Sequence, residues 1–124
     1  MKDKIENAKS IAIIGSSFIG SESASSIKGK FKDEKEVHLI DMVAYPLVNV
    51  LGQDIGKMVA NEHTTNGVKL HMNSGVKAIK GTKDGKVEGV QLSDGSIVKA
   101  DLVLVGIGVM PATSILKGSK VQLD

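Results

Sequence analysis

The segment Ile11-Ala-Ile-Ile-Gly15-Ser-Ser-Phe-Ile-Gly20-Ser-Glu22 leaves few folds open. Its continuous apolar start predicts a strand buried on both faces, because a half-exposed strand would alternate. Gly15 permits a tight turn out of that strand, and Gly20 lets the following helix sit close to the sheet. Twenty-one residues after Gly20 a second strand-like run, Val37-His-Leu-Ile-Asp41, ends in a carboxylate. Strand, Gly-x-x-x-x-Gly turn, helix, strand and terminal acid together form the fingerprint of a dinucleotide site. The free N–H groups and positive dipole end of the helix would face a pyrophosphate. Asp41 would accept hydrogen bonds from the adenosine ribose hydroxyls. Ser17 stands where the fingerprint has its middle glycine, and its Cβ crowds the approach of backbone to phosphate. The hydroxyls of Ser16 and Ser17 are expected to compensate in part as donors.

The helix is predicted over Phe18 to about Phe31, with Ile19, Ser23, Ile27 and Phe31 facing the sheet. Lys28–Glu36 reads as a solvated turn, and Met1–Lys9 as a polar lead into the first strand. After a loop over Met42–Val50, a second helix is expected from Gly52 to Asn66, stopped by Asn66-Gly67. Val68–Met72 follows as a third parallel strand, so the first half reads βαβαβ with right-handed crossovers. Beyond it lie short strands over Val76–Ile79, Lys86–Leu92 and Ser96–Lys99, separated by the hairpin pairs Asp84-Gly85 and Asp94-Gly95. They form an antiparallel three-stranded meander that crosses back to a last buried strand, Ala100–Val105, ending at Gly106-Ile-Gly108. The fold class is therefore α/β: a Rossmann-like parallel sheet with helices and a meander crossover.

At 124 residues this is a single domain, with a core that Ile, Val, Leu and Met must fill, since only two Phe and one Tyr are present. Net charge is near +2 and all sixteen basic residues are Lys. That gives no electrostatic case for nucleic acid and no guanidinium for bidentate phosphate recognition. Without Cys the chain has no disulfide, dithiol or thiolate metal site, and no apolar run approaches the ~20 residues that span a bilayer. His38, His63 and His71 show no metal-ligand spacing and read as structural. Asp54 reads as a first-turn carboxylate complementing its helix dipole. Met42, Met58, Met72 and Met110 read as packing residues.

Three segments together carry a resemblance over nearly the whole chain: Gly15-Ser-Ser-Phe-Ile-Gly20-Ser-Glu22, Leu39-Ile-Asp41 and Val105-Gly-Ile-Gly-Val-Met-Pro111, continued by Ala112–Ser119. It resembles the NADH-binding domain of the pyridine nucleotide–disulfide oxidoreductase superfamily, on the branch of apoptosis-inducing factor type 3 and the ferredoxin-reductase-like flavoproteins. The resemblance implies one NADH-binding domain over residues 1–124, excised from a longer flavoprotein that carries FAD elsewhere and passes a hydride from NADH to it. It implies that Glu22, Gly106, Ile107 and Gly108 approach the nicotinamide. The expected cofactor-binding set is then Gly15, Ser16, Ser17, Phe18, Ile19, Gly20, Glu22, Asp41, Gly106, Ile107 and Gly108. No catalytic acid–base residue and no metal are expected, since hydride transfer needs positioning above all. The implied partners are the FAD-binding domain of the same polypeptide and an electron acceptor such as an iron–sulfur protein, in an intracellular setting, cytoplasmic or mitochondrial. Two competing readings are a non-catalytic nucleotide-binding or structural module with a degenerate glycine motif, and a soluble dehydrogenase domain. The second suffers from the lack of a catalytic His/Lys/Tyr constellation and from the meander.

Overall fold

The computed structural model describes residues 2–110, 112–116 and 118–122. The chain runs through α1 (Lys2–Asn7), β1 (Ser10–Ile14), α2 (Phe18–Phe31), β2 (Glu36–Ile40), α3 (Val48–Thr65) and β3 (Lys69–His71). It continues through β4 (Val76–Gly81), β5 (Val87–Leu92), β6 (Ile97–Lys99) and β7 (Leu102–Val105). Four strands form a parallel sheet in the order β3-β2-β1-β7, and β4-β5-β6 form a separate antiparallel sheet. Ser10 through Ile14 pair with Glu36 through Ile40 on one side, and Ile11 through Ile14 with Leu102 through Val105 on the other. This is the α/β architecture with a meander crossover that the residue pattern predicted.

The unbroken apolar run of β1 has its reason in two cores. Ile11 and Ile13 pack with Ala24, Ile27, Val37, Leu39 and Val68 beneath the helices. Ala12, between them, points the other way and packs with Ile40, Val90, Leu92, Val98 and Ala100 of the meander side. Both faces of the strand are therefore covered, as expected for a parallel sheet. In the meander, Gly85 and Gly95 sit at φ +80° and +91°, the left-handed region that the two Asp-Gly pairs supply.

Several local expectations are corrected. Met1–Lys9 is not merely a polar lead, because Lys2–Asn7 is helical. The sheet-facing stripe of α2 is Gly20, Ala24 and Ile27 rather than one beginning at Ile19, which is 59% exposed. Small residues took that face because the helix lies too close to the sheet for an Ile at its first turn. The stretch Lys28–Glu36 is not a wholly solvated turn, since Lys28 and Lys35 are buried. Lys35 Nζ donates to the carbonyls of Glu6 and Ala8 at 2.8 and 2.5 Å and lies 4.6 Å from the centroid of the Phe31 ring. It thereby caps the end of α1 with its stem buried. The second helix begins at Val48, four residues early, and breaks its helical geometry at Gly52, φ +81°. Gly52 is thus a kink and not a start. Among the described residues no helix is long and apolar enough to cross a membrane.

Candidate functional site

The parallel strands β1, β2 and β7 end together, and the segments leaving them extend the ladder. Gly15 N donates to Ile40 O at 2.9 Å, Asp41 N to His71 O at 3.1 Å, and Gly106 N to Ile14 O at 2.8 Å. A cleft of about 720 Å³ opens at these carboxyl ends, a volume typical of ligand sites and the place where open α/β sheets bind ligands. Ile14, Gly15, Ser17, Asp41, Gly106, Ile107 and Gly108 line it from the sheet, and Val76, Ala78 and Ile79 form the meander wall.

The glycines are there for close approach. A Cβ on Gly20 would overlap the carbonyl oxygen of Gly15, so α2 reaches the sheet only with glycine at that position. A Cβ on Gly15, at φ +98°, would lie 2.5 Å from the carbonyl oxygen of Gly106. The first glycine turn and the exit of β7 therefore interlock. Ser17 is the N-cap of α2, and its side chain makes no capping bond. The first intrahelical bond, from Ser21 N to Ser17 O, leaves the N–H groups of the preceding residues at the helix start unpaired within the helix. Asp41 directs Oδ2 at Ser16, accepting from its backbone N at 2.6 Å and from its hydroxyl at 2.8 Å. Oδ1 has only a long contact, 3.4 Å, from Val43 N.

The structure thus brings Gly15, Ser17, Asp41, Gly106, Ile107 and Gly108 into one cleft, with Gly20 buried behind the turn. Ser16 does not line that cleft: it is 1% exposed, and its hydroxyl is held by Asp41. The expected compensation at a phosphate therefore falls to Ser17 alone. Ile19 projects outward beside Gly106. Phe18 and Glu22 face a second cleft of about 700 Å³ between α2 and α3, lined also by Ser21, Met58, Glu62 and His63. Glu22 and Gly108 are therefore not lining residues of the same cleft. Pro111 and Lys117, within the segment that carries the family resemblance, lie outside the described residues.

Residue reasoning passed over Asn49, Ser74 and the meander wall as lining residues. Asn49, on the first turn of α3, was hidden by the late placement of that helix. The wall residues had no signal beyond strand periodicity. It also passed over two histidine contacts. His38 Nδ1 and His71 Nε2 lie 3.0 Å apart across β2 and β3, with ring centroids 5.3 Å apart. Their separation fits an in-line hydrogen bond, and among the described residues no cluster of three metal-ligating side chains exists. Burial holds both histidines below their ordinary value, and for His38 the neighbouring His71 and Lys69 add to the effect. His63, depressed by burial, meets Ser21 Oγ at 2.6 Å and pins α3 to α2.

Known proteins share this arrangement. A 5,5'-dehydrodivanillate O-demethylase ferredoxin reductase subunit of Sphingobium is 35% identical over 109 residues, covering 88% of this chain and 26% of that protein. Human apoptosis-inducing factor 3 is 29% identical over 121 residues, 98% of this chain and 19% of its own length. Among solved structures, a ferredoxin reductase from Rhodopseudomonas palustris superposes with a TM-score of 0.87 at 28% identity, covering 99% of this chain and 30% of that one. Putidaredoxin reductase, in its covalent complex with putidaredoxin, gives 0.82 at 28% identity over 94% of this chain and 27% of its own. The chain thus spans less than a third of the length of each of these relatives. With a family model matching residues 1–124 on top of this glycine-turn cleft, the chain belongs to the pyridine nucleotide-disulphide oxidoreductase family.

Proposed function

We propose that this chain is the NADH-binding domain of an FAD-dependent oxidoreductase, in which a hydride passes from NADH to FAD held by another domain of the same polypeptide. The observation that carries the reading is the interlock of Gly15, Gly20 and Gly106, where a Cβ on Gly15 or Gly20 would strike backbone, so that the helix start is held against the strand ends. It stands beside a carboxylate with one oxygen held by Ser16 and the other only weakly engaged by Val43 N. The residues fit a dinucleotide. The N–H groups at the start of α2 would hold the pyrophosphate, with the free Ser17 hydroxyl as a further donor. Asp41 Oδ1 would accept from the adenosine ribose. Gly106, Ile107 and Gly108 would give the nicotinamide a flat backbone surface.

NADH supplies the hydride when bound, and nothing in the cleft needs to move a proton. The chain's own part is binding and orientation. Glu22 and Phe18 line the neighbouring cleft and not this one, so Glu22 would reach the nicotinamide only from outside the cleft wall. Ile107, Val109 and Met110 are 74%, 86% and 91% exposed. Such contiguous apolar surface after β7 is expected where a further domain covers it. By likeness to ferredoxin reductases, the final acceptor would be an iron–sulfur protein.

Asp41 predicts NADH over NADPH, because its charge opposes a 2′-phosphate and among the described residues no Lys lines the cleft. Titration of the chain with each nucleotide checks this. Asp41→Ala combined with Met42→Lys is expected to move preference toward NADPH. Equal binding of the two by the unmodified chain would show that Asp41 does not hold the ribose.

A further inference from the structure

We propose that Ser16 is a positioning residue that sets nucleotide preference through Asp41, without touching the cofactor itself. The inference rests on the NADH reading above. All three polar atoms of Ser16 are committed inside the protein: its N–H and hydroxyl donate to Asp41 Oδ2, and its carbonyl accepts from Leu47 N at 3.0 Å. The side chain is sealed from solvent, so no ligand atom reaches it.

The consequence lies in the geometry of a carboxylate. Rotation about the last bond of an aspartate is broad, so a free Asp41 would sample many orientations of its carboxylate plane. Two short donors on the same oxygen fill its lone pairs and hold the plane in one orientation. Oδ1 is then the oxygen left to accept, and among the described residues its donor is Val43 N, in a long bond of 3.4 Å that leaves a lone pair open. A ribose diol brings donors and fits this fixed acceptor. A 2′-phosphate brings only acceptor oxygens and negative charge, and the clamped carboxylate cannot turn away from it. Among the described residues no Lys lines the cleft to offset that charge. The backbone N–H of residue 16 would survive any substitution except proline; the hydroxyl is the part of the clamp that a substitution removes.

The test compares NADH and NADPH binding by calorimetry for the chain, Ser16→Ala, Asp41→Ala and the double variant, all verified as folded by thermal melting. Ser16→Ala is expected to weaken NADH binding roughly five- to tenfold, less than the full worth of a hydrogen bond to a charged group because the backbone N–H of residue 16 still holds Oδ2. NADPH affinity should hold or rise, so the preference ratio narrows. In the Asp41→Ala background, adding Ser16→Ala should change neither affinity by more than about twofold. Equal weakening toward both nucleotides would make Ser16 a support of the loop and overturn the proposal, as would unchanged NADH binding. Should Ser16→Ala fail to fold, Ser16→Gly, which keeps the N–H and lacks the hydroxyl, is read in the same way. Absence of binding of either nucleotide by the unmodified chain would instead refute the NADH reading, and this inference with it.

Discussion

A methyl group placed at Gly20 would have to displace the carbonyl of Gly15, which is backbone and cannot rotate away. Gly29, on the same helix, has nothing within 4 Å of the corresponding position. Gly20→Ala is therefore expected to cost at least about 3 kcal/mol by overpacking. Gly29→Ala is expected to add about 0.5–1 kcal/mol through helix propensity. Urea denaturation of the two variants checks both signs, and a tolerated Gly20→Ala would mean that α2 does not sit against the turn. Ser17 poses a different question, because its hydroxyl is exposed and caps nothing. Replacing it by glycine costs little as an N-cap, a few tenths of a kcal/mol. It removes a Cβ from the path of the pyrophosphate. Ser17→Gly is expected to tighten NADH binding by up to roughly tenfold, since a single neutral hydrogen bond returns only ~1 kcal/mol. Weaker binding in a calorimetric titration would make the hydroxyl a ligand and reverse that balance.

Among the elements, β1, α2, the Asp-Gly hairpins and β7 were legible because their signals are local: an apolar run, a glycine spacing, a turn pair. Of the site, Gly15, Gly20 and Asp41 were legible for the same reason, since the backbone turn and the strand end declare themselves in short range. What stayed hidden depends on partners far along the chain. Lys35 reads as a surface charge until Glu6 and Ala8 turn their carbonyls toward it. His38 and His71 are ordinary strand residues until β2 and β3 pair and bring them to 3.0 Å. That pair, with His63 at the α2–α3 contact, carries a pH consequence. Facing His38 and His71 are Glu36, 3.6 Å from His38, and Lys69, which holds Glu36 at 2.6 Å; facing His63 are Ser21 and Glu62. All three histidines lie below their ordinary value of 6.5 in the folded chain, burial being the leading cause. The unfolded chain therefore takes up protons first as the pH drops. Stability is expected to be full above about pH 6.5 and to fall progressively below it, well before carboxylates titrate. Urea midpoints compared at about pH 7.5 and pH 5.5 check the sign, and a midpoint that rises on acidification would contradict it.

At the scale of the molecule, a cleft stands at the sheet ends, and the apolar exit of β7 is exposed. On the proposed reading the chain is expected to purify colourless, without flavin absorbance, and to show no NADH-dependent reduction of acceptors. Stoichiometric FAD on the purified chain would overturn its assignment as a single NADH-binding domain. On the same reading, mixing it with an FAD-binding domain of a related flavoprotein is the complementary trial, and NADH-dependent flavin reduction is the expected result.

The seating of β1 between β2 and β7 also dictates an order of assembly. Its neighbours on one side arrive within thirty residues, but its partners on the other, Leu102 to Val105, are ninety-one residues downstream at Ile11↔Leu102. The meander, by contrast, closes through hairpins and is formed from nearest neighbours in sequence. Loop closure over so long a span is slow relative to hairpin closure. The meander and the β1–α2–β2 unit are thus able to form while β1 still has an open edge. Only the docking of β7 brings Gly106 against Gly15. The cleft is thus expected to be completed by a late, long-range contact, so recovery of nucleotide binding during refolding, under the proposed function, should trail the recovery of secondary structure.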